Sequence, residues 1–549
     1  MEGRQDDGNK GTWDSTPARI GESLRMLIDS RMEVSSAHGV PNIQRASNPT
    51  IKLAWTVIFL AGTGVMTWQV VALFQAYFAW DYTVNLEVKF NRTQYFPAIT
   101  ICNTNPMRKS GLKTKDSKFQ EIFDFDYDPS TPITEGGDEP PIPLGSHSDR
   151  GPPEGQNERS ENVQDWAQRV SQPRYYRSKS LDYARYRIRQ VALANTSIEE
   201  RVSLGHSLDD MLLDCSWKGI PCSPENFTQI YDSQLGNCYT FNSGQHGEQL
   251  NTHRPGSYFG LSLELFVEQD EYVEGMTQEA GFRVKIHHPS NMPFPAEEGI
   301  LISPGFNTAI GLRMLELDRL PDPYGDCKAD LSEDIADDVY HQHYNITYNR
   351  KTCEVSCYQN EVIRRCGCFD ASYLNSLEVD KTIYPCRYTS PVETKCLANI
   401  EWEQADDELE CNCPIACHET TYLSRVSSSI WPANAYESLL FERMALYNDV
   451  MRTNVNGENA SEWTRQNLAK LEVYYDEFNY EYIRQVPAYT IPDLLSDIGG
   501  QLGLWLGLSV ITIFELLEGA WLILAFIFTR CGNSTREVDV HPKTNTVVI

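Results

Sequence analysis

A chain of 549 residues with a formal net charge of -29 and a mean hydropathy of -0.43 has the averages of a soluble multidomain protein, and its acidic balance argues against a nucleic-acid partner. Those averages conceal two strongly apolar segments, which argue against an ordinary soluble reading. No Ser, His and Asp residues fall into a recognisable catalytic arrangement, so an enzyme is not expected.

Residues 1–51 are polar and include His38-Gly39, which alone reads as a turn in a tail. Leu53 to Trp80 then runs without a charge, and at ~1.5 Å rise per residue it spans a ~30 Å hydrocarbon core with room for tilt. Residues 52–80 are therefore the expected first transmembrane helix. The stretch is longer than a signal-peptide core and lies too far from the start, and Trp68, Tyr77, Trp80 and Tyr82 read as interfacial aromatics. The competing interpretation is the buried helix of a soluble domain.

Residues 81–490 hold every one of the 15 cysteines except Cys531. An even number of cysteines in one segment predicts disulfides and an oxidising, extracellular compartment. Zinc binding by Cys353-x3-Cys357 or Cys411-x-Cys413 is the weaker reading, and no metal site is expected. Asn91, Asn195, Asn226, Asn345 and Asn459 each begin a glycosylation sequon in the same segment. Between Asp128 and Arg174, Pro, Gly, Ser and acidic residues displace apolar periodicity, as in a surface loop or insertion. Helical spacing of apolar residues runs from Tyr436 to Met451, and Leu471, Val473 and Tyr475 alternate as in a half-buried strand. The segment is α+β.

A second apolar run, Ile498 to Thr529, is interrupted only by Glu515 and Glu518 and places a second transmembrane helix at 491–529. Arg45, Lys52, Arg530 and Arg536 flank the outer ends of the two runs, against Asp81, Glu87, Asp493 and Asp497 on the inner flanks. Both termini, 1–51 and 530–549, are thus expected in the cytoplasm of a multi-pass plasma-membrane protein. On a helical period Asp497, Gly500, Leu504, Leu508, Ile511, Glu515 and Glu518 share a face. Charge at membrane depth is tolerated where it meets water or a partner, so this face predicts an aqueous, cation-attracting path. Gly499, Gly503 and Gly507 recur every fourth residue and offer neighbouring helices a surface free of side chains; ordinary helix packing accounts equally well for the first two.

Several strings resemble one family. Phe96-Pro97-Ala98-Ile99-Thr100-Ile101-Cys102-Asn103 is similar to a signature of the epithelial sodium channel, degenerin and acid-sensing channel superfamily. So are His38-Gly39, the block Cys353, Cys357, Cys366, Cys368, Cys411, Cys413 and Cys417, Ser427-x3-Trp431-Pro432, and Ser496 through Ser509. The resemblance covers roughly residues 35 to 530. It implies a homotrimer or heterotrimer with related subunits in the lipid bilayer, permeable to Na+ and needing no cofactor beyond its glycans. Its extracellular part would have a wrist, palm, knuckle, β-ball, finger (about 104–250) and thumb (about 320–430). It implies the disulfides Cys102–Cys238, Cys215–Cys222, Cys327–Cys417, Cys353–Cys413, Cys357–Cys411, Cys366–Cys396 and Cys368–Cys386, a pairing that spacing alone leaves open. In that pairing the second partner retreats from 413 to 411 as the first advances from 353 to 357, a nested ladder. Each long loop closed would add ~3–4 kcal/mol against unfolding.

The same resemblance makes Gly507-Leu508-Ser509 a broken-helix selectivity triplet, with Glu515 contributing to a preference for Na+ over K+. Leu508 departs from the Ala, Gly or Ser usual there, which leaves the selectivity ratio open. His38 and Gly39 would line the lower pore, and Trp431-Pro432 would meet Trp80 and Tyr82. Proton-gated members carry a histidine pair where Asp81 and Tyr82 stand here, and the basic positions near Arg174, Arg177, Arg185, Arg187 and Arg189 lack a clean dibasic cleavage site. The expectation is therefore gating by an extracellular amidated peptide such as FMRFamide. The alternatives are a proton-gated, mechanosensitive or constitutively active channel, or a disulfide-rich receptor without a pore.

Overall fold

The structure is a computed structural model that describes residues 25–532, apart from 114–192, shorter stretches at 245–248, 274–276, 332–337 and 374–382, and scattered single positions that include Asn195 and Asn345. The insertion expected between Asp128 and Arg174 lies outside the described residues. The described chain forms two compact units: Val84–Gln485, and the chain ends up to Thr83 and from Val486 onward.

In the unit built from the chain ends, α1 (Val40–Arg45) leads into α2 (Pro49–Tyr77). Asn48 caps α2 by accepting from the Thr50 amide at 3.0 Å, and Pro49 takes the first helical position, where no amide hydrogen is needed. The helix is apolar all round and long enough to cross a membrane. After it, Tyr77, Phe78 and Trp80 form an aromatic cluster with ring centroids 5.2–5.8 Å apart.

The larger unit is built on two sheets. The first runs β1 (Tyr82–Phe90), β13 (Asn479–Pro487), β10 (Phe306–Asp318), β12 (Leu468–Tyr475), β7 (Leu261–Phe266), β3 (Leu212–Trp217) and β4 (Ile220–Pro221). Strand β10 is its spine. Along one edge it pairs antiparallel over its full length with β11 (His418–Ile430), and along the other it pairs parallel with β12 and then β13. The expected alternation of Leu471, Val473 and Tyr475 is the buried face of β12. The second sheet runs β9 (Ile300–Ile302), β8 (Phe282–His287), β2 (Ala98–Asn103), β6 (Gly236–Phe241) and β5 (Phe227–Asp232). Every residue of β2 is buried, which is why Ala98-Ile99-Thr100-Ile101-Cys102-Asn103 reads as a continuous run rather than an alternation. Ile99, Ile101, Phe282 and Val284 of this sheet share one core with Leu263, Ile310, Leu312, Leu471 and Val473 of the first.

Seven disulfides staple the unit. Cys102 and Cys238 face each other in register across β2 and β6, with Cα atoms 4.4 Å apart, and Cys215–Cys222 closes the β3–β4 hairpin. Helix α3 (Arg350–Cys366) is capped by Asn349 and stopped by left-handed Gly367. Cys353 and Cys357 lie one turn apart on it and bond to Cys413 and Cys411. Four residues of helix rise ~6 Å, close to the ~7 Å that two residues of open chain can span, so a helix facing an open segment brings the outer and inner pairs into reach together. Cys366–Cys396 ties α3 to α4 (Pro391–Ala405), Cys368–Cys386 holds the loop between them, and Cys327–Cys417 closes the base.

The single helix expected from Tyr436 to Met451 is instead two, α5 (Glu437–Met444) and a separate turn of helix at Asp449–Val455. Between them Leu446 is exposed, while the Tyr447 hydroxyl donates to the Leu213 carbonyl. The turn lets Leu440, Met444, Met451 and Val455 all enter one core with Trp431.

His287 is buried at the end of β8, where its Nδ1 donates to the His288 carbonyl at 2.9 Å and its Nε2 accepts from the Thr100 hydroxyl at 2.9 Å. Burial, with Lys285 and His288 nearby, pushes its pKa down from 6.5 to about 4. Unfolding lets the ring take a proton near its ordinary pKa. The stability gained by keeping it neutral is therefore complete above pH 6.5 and is lost as pH falls towards 4, amounting to roughly 3 kcal/mol. Thermal melts of the purified protein at pH 7.5 and pH 5 should show a lower melting temperature at pH 5, and His287→Gln should shrink that difference; equal pH dependence in both proteins would contradict the assignment.

Candidate functional site

The second apolar run opens with a capping box: the Thr490 amide and hydroxyl donate to the Asp493 carboxylate at 3.0 and 2.5 Å, starting α6 (Ile491–Leu506). One turn on, Asp497 accepts from the Tyr489 hydroxyl at 2.6 Å. The helix ends at Gly507, which has φ 62° in the left-handed region that a side chain disfavours. The amides of Gly507 and Leu508 return to the carbonyls of Gly503 and Leu502 at 3.1 Å, which satisfies part of the helix terminus. Ser509 then starts α7 (Val510–Gly532): its Oγ accepts from the Thr512 amide at 3.3 Å, and its carbonyl takes the first helical bond, from Ile513, at 3.2 Å. The triplet is thus a stop at Gly507, a spacer at Leu508 and a start at Ser509.

Helices α6 and α7 together are long and apolar enough to cross a membrane, but they are bent by 74° at this break. The helical face expected to continue from Asp497 to Glu518 therefore becomes two. Asp497, Gly500 and Leu504 share a face of α6; Ile511, Glu515 and Glu518 share a face of α7; Leu508 sits in the break. Among the described residues, and apart from the adjacent residues and the helix's own backbone, no atom comes within 4 Å of where a Cβ would stand on Gly499 or Gly500.

The loop before α1 closes on this break. The His38 amide donates to the carbonyl of Leu506 at 2.9 Å, taking another carbonyl of the helix end. The His38 ring lies where a Cβ on Gly507 would have to go. Gly39 has φ 98°, and a Cβ there would stand 3.2 Å from Phe59 of α2. Two residues before His38, the Ser36 hydroxyl donates to Glu515 Oε2 at 2.7 Å and lies 2.8 Å from the Thr512 hydroxyl. From the other side, Trp505 Nε1 donates to Gln69 Oε1 of α2 at 2.5 Å and to Gln501 at 3.2 Å.

Among the residues expected at the site, His38, Gly39, Gly507, Leu508, Ser509 and Glu515 are thus gathered around one helix break. Trp431 is built into the core of the larger unit, its amide donating to the Gly305 carbonyl at 2.9 Å; Pro432 follows it, Trp80 packs at an incline against Tyr77 and edge-on to Phe78, and Tyr82 is exposed. Asn91, Asn226 and Asn459 are exposed, whereas Asn195 and Asn345 lie outside the described residues. Sequence reasoning passes over Ser36, Thr512 and the Gln69–Trp505 bond; the available signal was Gln69 itself, a strong hydrogen-bonding group inside an apolar span. No group of three or more His, Cys, Asp or Glu side chains among the described residues is placed to hold a metal ion.

Because Gly507 is left-handed and backed by His38, Gly507→Ala combines backbone strain of ~1–2 kcal/mol with a steric collision. Hydrogen exchange in detergent should speed up at the His38 and Leu508 amides by roughly tenfold or more in Gly507→Ala. It should change little in Leu508→Ala. Similar rates in both variants would show that the break does not depend on glycine.

Comparison with known proteins places these residues in context. Residues 32–518 match the family model described as amiloride-sensitive sodium channel. The epithelial sodium channel subunit beta of Mus musculus is 28% identical, over 93% of this chain and 84% of that protein. That of Neoceratodus forsteri is 29% identical, over 92% and 84%. The FMRFamide-activated amiloride-sensitive sodium channel of Cornu aspersum is 27% identical, over 95% and 86%. The chain belongs to the amiloride-sensitive sodium channel family, whose members are ion channels rather than enzymes.

Proposed function

We propose that this chain is a pore-forming subunit of a plasma-membrane sodium channel opened by an extracellular amidated peptide. Helix α2 and the bent pair α6–α7 are its two spans, residues 52–80 and 491–529. Both termini are cytoplasmic, and Val84–Gln485 lies outside, with glycans on Asn91, Asn226 and Asn459. Three copies, of this chain or of related subunits, surround the axis. Each contributes Asp497, Gly500 and Leu504 above the break and Glu515 and Glu518 below it, so that rings of carboxylates concentrate cations and repel anions. Unwound backbone inside a membrane is tolerated where it lines a cavity or is buried in protein, and hard carbonyl and hydroxyl oxygens at Gly507–Ser509 suit Na+. The net charge of -29 adds a long-range attraction for cations.

The observation that carries peptide gating is the likeness to a channel named as FMRFamide-activated, over 95% of this chain. A peptide that binds the open arrangement more tightly than the closed one shifts the population towards opening by that difference in affinity. The disulfide-braced helices α3 and α4 and the full-length β10–β11 pairing are stiff enough to carry a displacement rather than absorb it. Comparable identity to beta subunits of epithelial sodium channels supports a second reading, a subunit that conducts without a peptide and needs related partners.

Two-electrode recording from cells expressing the chain tests both. Superfusion with an FMRFamide-type peptide should evoke an inward Na+ current that amiloride blocks. A standing amiloride-sensitive current that appears on co-expression with related subunits and is indifferent to peptide would favour the second reading and overturn the first.

A further inference from the structure

The hydroxyls around the helix break form a chain whose direction is fixed by the number of hydrogens. Glu515 Oε2 accepts from the Ser36 hydroxyl at 2.7 Å and from the Ser36 amide at 3.3 Å. A serine hydroxyl has one hydrogen, and the carboxylate has none to give. Ser36 Oγ, having donated to Glu515, can therefore only accept from the Thr512 hydroxyl 2.8 Å away. Thr512 is then spent as a donor as well, and must accept from the Ser509 hydroxyl at 3.2 Å and from the Ser509 amide at 3.2 Å. Every hydrogen points the same way: Ser509 to Thr512, Thr512 to Ser36, Ser36 to Glu515. The chain ends on a negative charge, which polarises each bond before it.

We infer that Ser36 is a selectivity-positioning residue, which couples the Glu515 carboxylate to the hydroxyl of Ser509 and so sets how both present oxygen to the permeating ion. This rests on the pore reading above.

The bond fixes one oxygen of a side chain with three rotatable bonds, at a position where wandering would blur an acidic ring. It also commits the hydrogen of Ser509 to Thr512. Ser509 Oγ accepts from the Thr512 amide with one lone pair and keeps the second for a cation, with no hydrogen directed at it. Without Ser36, Thr512 loses its acceptor, its hydrogen becomes available to Ser509, and the Ser509 hydroxyl is released to turn towards the ion path. Thr512 is almost fully buried, so it has no ready water to replace Ser36. Threonine at position 36 keeps the hydroxyl and the chain.

The test is the Na+ to K+ permeability ratio, from reversal potentials under exchanged external cations, in wild type, Ser36→Ala, Ser36→Thr and Thr512→Val, with surface protein measured in parallel. The ratio should fall by roughly threefold or more in Ser36→Ala, the scale of one hydrogen bond, and in Thr512→Val, while Ser36→Thr stays near wild type. A merely structural role would lower current and surface protein without moving the ratio. If Ser36→Ala carries no current, Thr512→Val reads the same chain one bond nearer Ser509. Wild-type ratios in both Ser36→Ala and Thr512→Val would overturn the inference and leave the pore reading standing. A wild-type current that does not distinguish Na+ from K+ would overturn both.

Discussion

A helix that is interrupted must find partners for the backbone groups that the interruption frees, and the features gathered around Gly507–Ser509 answer that demand. Gly507 supplies the left-handed turn that returns two amides to the end of α6, and Ser509 caps the start of α7. The His38 amide takes the Leu506 carbonyl from a loop more than four hundred and sixty residues away in sequence. That third contact makes the loop before α1 a structural part of the break. It also explains why a His-Gly pair that would be unremarkable in a polar tail is required here: the glycine admits φ 98° beside Phe59, and the ring fills the space that Gly507 leaves open.

The larger unit solves a different problem. Two edges of β10 are occupied, one by a full-length antiparallel partner and the other by β12 and β13 in succession, so the spine strand has no free edge. Disulfides then take over where packing is thin. The α3–α4 region has a small core around Tyr358, Val362, Leu397 and Ile400, and four of the seven disulfides lie against it or along α3. A small core braced by covalent links is rigid without being large.

What the sequence could reveal followed from how local each cause was. Apolar length marked α2 and the bent pair α6–α7 as long enough to cross a membrane, and an even set of cysteines in one segment marked the disulfide-linked unit. Alternation marked β12, whereas β2 hid its alternation because both of its faces are covered. The division of the stretch from Tyr436 to Met451 was invisible because apolar spacing on both sides of Leu446 remains helical, and the turn is set by contacts to a distant core. The burial of Trp431 was not legible because nothing local says that Leu440, Met444 and Leu468 will enclose it. At the site, the break at Gly507–Ser509 was expected from the resemblance, but Ser36, Thr512 and the Trp505–Gln69 bond depend on pairings across the whole chain, which no local pattern encodes.

The central claim is that the break at Gly507–Ser509 borders the sodium path. It is tested most directly by placing a thiol in the break, as Leu508→Cys on a Cys531→Ser background that removes the native cysteine outside the disulfides, and applying a small cationic thiol reagent while recording sodium current. The account predicts that modification abolishes most of the current. Full current after modification that mass spectrometry confirms at position 508 would contradict it.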